Sequence, residues 1–116
     1  MTKHFDLPYI NHIFDAINLI ESFTYKVSKD AFFENEEKQS AVVRQFQIIG
    51  EAVKNLSTEI KNKYQEIPWN NIAGMRDKII HKYFDVDLDV VWEVIFNDLP
   101  KFKKGIIKIK KDLETV

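Results

Sequence analysis

Apolar residues recur at spacings of three and four along nearly the whole chain, and only three Gly and three Pro interrupt them. No stretch alternates polar and apolar like a half-buried strand, so the pattern predicts helices throughout. A first helix is expected from about Pro8 to Val27, with Asp6 as its cap. Ile10, Ile13, Phe14, Ile17 and Ile20 form its stripe. Ser28 is expected to cap a short turn carrying Phe32 and Phe33. The polar run "ENEEKQS" then bridges to a long helix whose stripe is Val42, Val43, Phe46, Ile49, Val53 and Leu56. Gly50 lies inside that helix, where Gly costs roughly 1 kcal/mol against Ala. A closely packed neighbouring backbone would explain it.

"STEIKNKYQEIPW" predicts a short helix broken at Pro68. A further helix is expected from about Asn70 to Tyr83, stopped by "FDVD". Asp87 can cap the next helix, which carries Leu88, Val91 or Trp92, Ile95 and Leu99. Pro100 opens a last helix with Phe102, Ile106, Ile109 and Leu113 on one side and lysines on the other. At 116 residues this is one domain, 1–116, an all-α antiparallel bundle of about five to six helices.

The formal net charge of −1 argues against coating nucleic acid by bulk charge but not against one local basic site. With no cysteine there is no disulfide and no thiolate metal site. No apolar run is long enough for a bilayer, and the N-terminus lacks a signal core, so a cytoplasmic protein without a membrane role is expected.

The segment "GMRDKIIHKYF" (74–84) departs from this generic pattern. On a regular helix Arg76 and Tyr83, seven apart, share one line, and Asp77 and His81, four apart, share another. Arg is a forked permanent cation suited to phosphate. His moves protons near neutral pH. Asp77 can orient the imidazole. Such a set suffices to cleave RNA without a metal. One group takes the ribose 2′-hydroxyl proton, and the cation stabilises the pentacoordinate phosphate. The same residues also fit a solvated helix edge, with a surface Asp–His pair, a snorkelling Arg and an amphipathic Tyr. Arg76 and His81 diverge on a regular helix. A working site therefore requires the helix to unwind near His81 or a second chain to complete it.

Other residues invite weaker readings. Arg44 and Glu51 could face the cleft or form a solvated pair. Gly74 is expected to serve helix packing. His4 and His12 have no evident partner, and Trp69 and Trp92 are expected to anchor the core or a dimer interface. The lysine-rich "KFKKGIIKIKK" reads as the solvated face of the last helix or as a hold for RNA.

"MRDKIIHKYF" resembles the R-x4-H-x-Y motif of HEPN-domain ribonuclease toxins of the HepT-like group. "IIGEAVKNLS" (48–57), "IPWNNIAGMRDKIIHKYFDVDLDVVW" (67–92) and "DLPKFKK" (98–104) extend the resemblance over nearly the whole chain. The resemblance implies a dimeric HEPN bundle whose motif helices line a shared cleft. It implies a metal-independent endoribonuclease toxin of a type II toxin–antitoxin pair, without cofactor, acting on RNA. Arg76 and His81 carry over as the catalytic pair, with Asp77 at the polar position after the arginine. Tyr83 carries over as the tyrosine that a partner nucleotidyltransferase antitoxin of the MNT type modifies with AMP. The alternative is a non-catalytic HEPN module that binds nucleotide or RNA and docks such a partner.

Overall fold

The computed structural model describes residues 2–82 and 85–115, with side chains described for 5–80 and 86–115. Its helices are α1 (Thr2–Thr24), α2 (Lys29–Phe33), α3 (Glu36–Asn55), α4 (Thr58–Lys63), α5 (Trp69–Ala73), α6 (Met75–Ile79), α7 (Leu88–Glu93) and α8 (Leu99–Glu114). A π-helical turn, Val94–Asp98, joins α7 to α8. Two short strands, β1 (Ile80–Lys82) and β2 (Asp85–Val86), pair antiparallel between α6 and α7. The all-α bundle of the sequence reading is the architecture found, with eight α-helices among the described residues where about five to six were expected, and with this small ribbon added.

The core lies where α1, α3 and α8 face one another. Ile10, Ile13, Ile17, Val42, Ile106 and Ile109 are fully enclosed there. All come from the predicted stripes, because a period near 3.6 puts residues three and four apart on one face. Phe32, also fully buried, closes the core from α2. Burying a side chain of this size contributes roughly 1.5–3 kcal/mol.

Helix ends follow local chemistry. Ser28 Oγ accepts from the Ala31 N–H at 3.1 Å, and Asp87 Oδ1 accepts from the Val90 N–H at 3.2 Å, as the sequence suggests. The run "ENEEKQS" is not a bridge but the start of α3. Asn35 Oδ1 accepts from the Lys38 N–H at 3.0 Å, and Glu36 and Glu37 sit in the positive first turn. Lys38 Nζ and Gln39 Nε2 donate back to the Phe23, Phe32 and Phe33 carbonyls at 2.9–3.0 Å. Those carbonyls end α1 and α2, so polar residues that looked like linker satisfy two helix termini.

Asp6 is not the cap of α1, which runs through Pro8 back to Thr2. Its carboxylate is buried and accepts from the Ser57 N–H at 2.8 Å and the Ser57 hydroxyl at 2.6 Å. Ser57 in turn caps α4, its Oγ accepting from the Ile60 N–H. Leaving such a buried donor unsatisfied costs about 1–3 kcal/mol, so this staple fixes α1 against the α3–α4 corner.

Gly50 is explained as expected. A Cβ there would sit 3.4 Å from the Ala73 carbonyl and 3.9 Å from that of Ile72, so α5 lies directly on α3. Pro100, the second residue of α8, has no N–H for the carbonyl four residues earlier, and the π-helical turn just before it absorbs the mismatch.

Candidate active site

The predicted helix over 70–83 is the chief correction. It divides at Gly74 into α5 and α6, and α6 stops at Ile79. Ile80 is extended at φ −106°, ψ 108° and begins β1. Two causes act together. Ile79 and Ile80 are β-branched and favour an extended backbone. The Ile79 carbonyl is also taken by the Asp87 N–H at 2.8 Å, while Ile80 pairs with Val86 across the ribbon. Asp87 therefore ends α6 with its backbone and starts α7 with its side chain.

Arg76 lies on α6 with its side chain 55% exposed. Its guanidinium is 3.5 Å from the Asp77 carboxylate, itself 86% exposed. An ion pair this solvated is worth only about 0–1 kcal/mol. It can steer the guanidinium without neutralising it. Asp77 thus pairs with Arg76, where the sequence reading expected it beside His81. The helical register behind that expectation ends at Ile79. The backbone of His81 lies in β1. The His81 side chain and all of Tyr83 lie outside the described residues, and with Tyr83 the expected shared line of Arg76 and Tyr83.

Beside α6 opens a cleft of about 900 Å³. Phe46 and Ile49 of α3 line it together with Asn70, Asn71, Lys78, Asp98 and Lys101, whereas neither Arg76 nor Asp77 does. Asn70, Asn71 and Lys78 carry no sequence signal of their own. Pro68 places the two asparagines here by starting α5 immediately ahead of them. Gly74 is exposed, and its nearest neighbours are carbonyls of the adjoining α5 at 3.5 and 4.0 Å. It therefore serves as the hinge between α5 and α6 and not as a packing contact with another element. Arg44 and Glu51 do not reach this cleft. They line a shallower depression of about 280 Å³ with Tyr9 and His12, between α1 and α3.

Trp69 is a core residue, set edge-on against Phe102 at 6.2 Å, with its Nε1 donating to the Tyr64 carbonyl at 3.1 Å. Trp92 packs between Phe32 and Phe96 at 5.4 and 4.5 Å. The Tyr64 hydroxyl donates to Asp112, which ties the end of α4 to α8. Burial, that hydrogen bond and the nearby carboxylates push its pKa up to about 12.

A helical bundle with an arginine-bearing helix broken ahead of a histidine, beside a mostly apolar cleft, defines the class. The model of the family described as "Ribonuclease HepT-like" matches residues 13–109, and the chain belongs to that family. It is 43% identical over 103 residues to "Probable ribonuclease HepT" of Thermococcus cleftensis, covering 89% of this chain and 94% of that one. It is also 49% identical over 106 residues to a Methanocaldococcus jannaschii protein named as a gamma-glutamylcyclotransferase and a candidate RNase. That match covers 91% of this chain but spans only 48% of the relative, about half its length. No solved structure matches the chain with significance. No helix among the described residues is long and apolar enough to cross a membrane.

Proposed function

We propose that this chain is a metal-independent endoribonuclease, the cytoplasmic toxin of a type II toxin–antitoxin pair, acting as a homodimer on RNA. The observation that carries the reading is the end of α6 at Ile79. On a continuous helix Arg76 and His81 would diverge by about 140°. The extended backbone at Ile80 removes that constraint and frees His81 to turn toward the phosphate held by Arg76. Neutral His81 removes the 2′-hydroxyl proton. The 2′-oxygen attacks phosphorus, Arg76 stabilises the extra negative charge, and the 5′-oxygen leaves and takes up a proton. The products are a 2′,3′-cyclic phosphate and a 5′-hydroxyl. Asp77 positions Arg76. A nucleotidyltransferase antitoxin transfers AMP from ATP to the Tyr83 hydroxyl oxygen, breaking the α–β phosphoanhydride bond and releasing pyrophosphate and the phenolic proton. The added charge and bulk then occupy the phosphate site.

The test is cleavage of RNA by purified protein in EDTA. His81→Ala should slow it roughly 10²–10⁴-fold. Arg76→Ala should slow it roughly 10²–10³-fold, with both variants folded by circular dichroism. Wild-type rates in both variants would remove these residues from the site. A wild-type protein that cuts nothing but holds a nucleotidyltransferase in a stable complex would support the binding-module reading instead. Intact-mass measurement after co-expression with the nucleotidyltransferase should show AMP-sized additions that vanish in Tyr83→Phe. Additions that survive the substitution would place the modification elsewhere.

A further inference from the structure

The chain carries a formal charge of −1, yet α8 alone holds six lysines against two acids. Those lysines are used in two ways. Lys103 and Lys110 lean inward. Lys103 Nζ meets Glu21 at 2.6 Å, and Lys110 Nζ meets Asn11 and Glu114 at 2.7 Å each. Lys101, Lys104, Lys108 and Lys111 are exposed, and their Nζ atoms form no hydrogen bond or ion pair with any described residue. Their spacing of three, four and three confines them to an arc of about 80° and a line about 15 Å long. Like charges at these spacings repel one another along a helix. A solvated outer face normally mixes signs, as α3 does with Glu36, Glu37, Lys38, Arg44, Glu51 and Lys54.

The stripe also reaches the cleft beside α6, which neither Arg76 nor Asp77 lines. Lys101, its first member, lines the cleft beside α6 together with Lys78. Glu66 and Asp98 line the same cleft and offset those two lysines. The cleft therefore has little net attraction for a polyanion, and the excess charge lies along α8 beyond it. Of the acids on α8, Glu114 is paired with Lys110, while Asp112, hydrogen-bonded to the neutral Tyr64 hydroxyl, keeps its charge one turn from Lys108, so the four lysines less one carboxylate leave an excess of three positive charges along the line.

We propose that Lys101, Lys104, Lys108 and Lys111 form a track for the phosphate backbone of single-stranded RNA, running along α8 from the cleft beside α6. The inference rests on the ribonuclease reading. It assigns substrate binding to residues outside the R-x4-H motif, and flexible lysine point charges suit a sequence-independent hold on a backbone.

The test measures binding without cleavage. The probe is a fluorescein-labelled single-stranded RNA of about twenty nucleotides, 2′-O-methylated throughout so that it has no internal nucleophile. Its anisotropy is titrated with the full chain over a monovalent-salt series. Each phosphate neutralised contributes about 0.7 to the slope of log affinity against log salt on a single strand. The variant K101Q/K104Q/K108Q/K111Q should therefore lower the slope by about 3 and weaken binding on the order of 100-fold near 0.1 M salt. The fourfold Lys→Arg variant should keep the wild-type slope. A slope unchanged in the Gln variant overturns the track, as does lysine-dependent binding to anionic vesicles or an acidic peptide with none to the RNA. Because the probe cannot be cut, a protein without nuclease activity would sink the functional reading while this assay still decides the track. Single Lys108→Gln, expected to lower the slope by about 0.7, serves if the fourfold variant does not fold.

Discussion

Tyr64 shows how much one buried hydroxyl can report. Its raised pKa, about 12 against an ordinary 10, means that the folded state holds the proton more tightly than the unfolded chain does. The sign follows from linkage. The contribution is fully present below pH 10 and is lost as pH rises from 10 through about 12. Stability by urea unfolding should therefore fall across that window, and Tyr64→Phe should flatten that fall against the same lysine and tyrosine background. An equal slope in both proteins would show that Tyr64 does not titrate differently on folding. Arg76 is the opposite case, because its partner Asp77 is mostly in water. The motif's cation is therefore left available for the proposed phosphate contact and adds little to stability. Neither residue's partner was legible in the sequence. Asp112 is 48 positions from Tyr64, and the Asp77 pairing depends on where α6 ends.

Helix interiors were legible and helix ends only partly so. Ser28 and Asp87 act as the caps their positions suggest, because a cap bonds to an N–H three residues away. Pro8 suggested a helix start and Asp6 a cap, yet α1 passes through Pro8 and Asp6 serves Ser57, 51 residues on. The two hydrogen bonds from Ser57 to the buried Asp6 carboxylate hold the segment ahead of Pro8 against the start of α4. Gly50 gives a graded test. A Cβ there falls at ordinary contact distance from the Ala73 carbonyl, so Gly50→Ala should leave stability unchanged or raise it by up to about 1 kcal/mol through helix propensity. Gly50→Leu has no room for its branch, should push α5 off α3, and should cost about 1–3 kcal/mol or more in urea unfolding. An unaffected Leu variant would mean that α5 does not depend on this contact.

At the scale of the molecule, the open question is which Arg76 works with which His81. The end of α6 at Ile79 frees both members of the pair to act within one chain, even in a dimer. Mixing Arg76→Ala with His81→Ala under subunit exchange should then restore no RNA cleavage, because every site lacks one partner. Recovery of roughly a quarter of wild-type activity, the share expected when exchange leaves one intact site per heterodimer, would place the pair across the dimer axis.

The sequence by itself determined the all-α class, the core stripes, the local caps and the identity of the motif, because each depends on residues within one or two turns of one another. Only the tertiary structure decided where the motif helix stops. That boundary depends on an N–H supplied by Asp87 and a pairing with Val86, which helical periodicity does not encode. The tertiary structure also decided which α8 lysines are paired and which stand free, because Glu21 and Asn11 reach them from the far end of the chain.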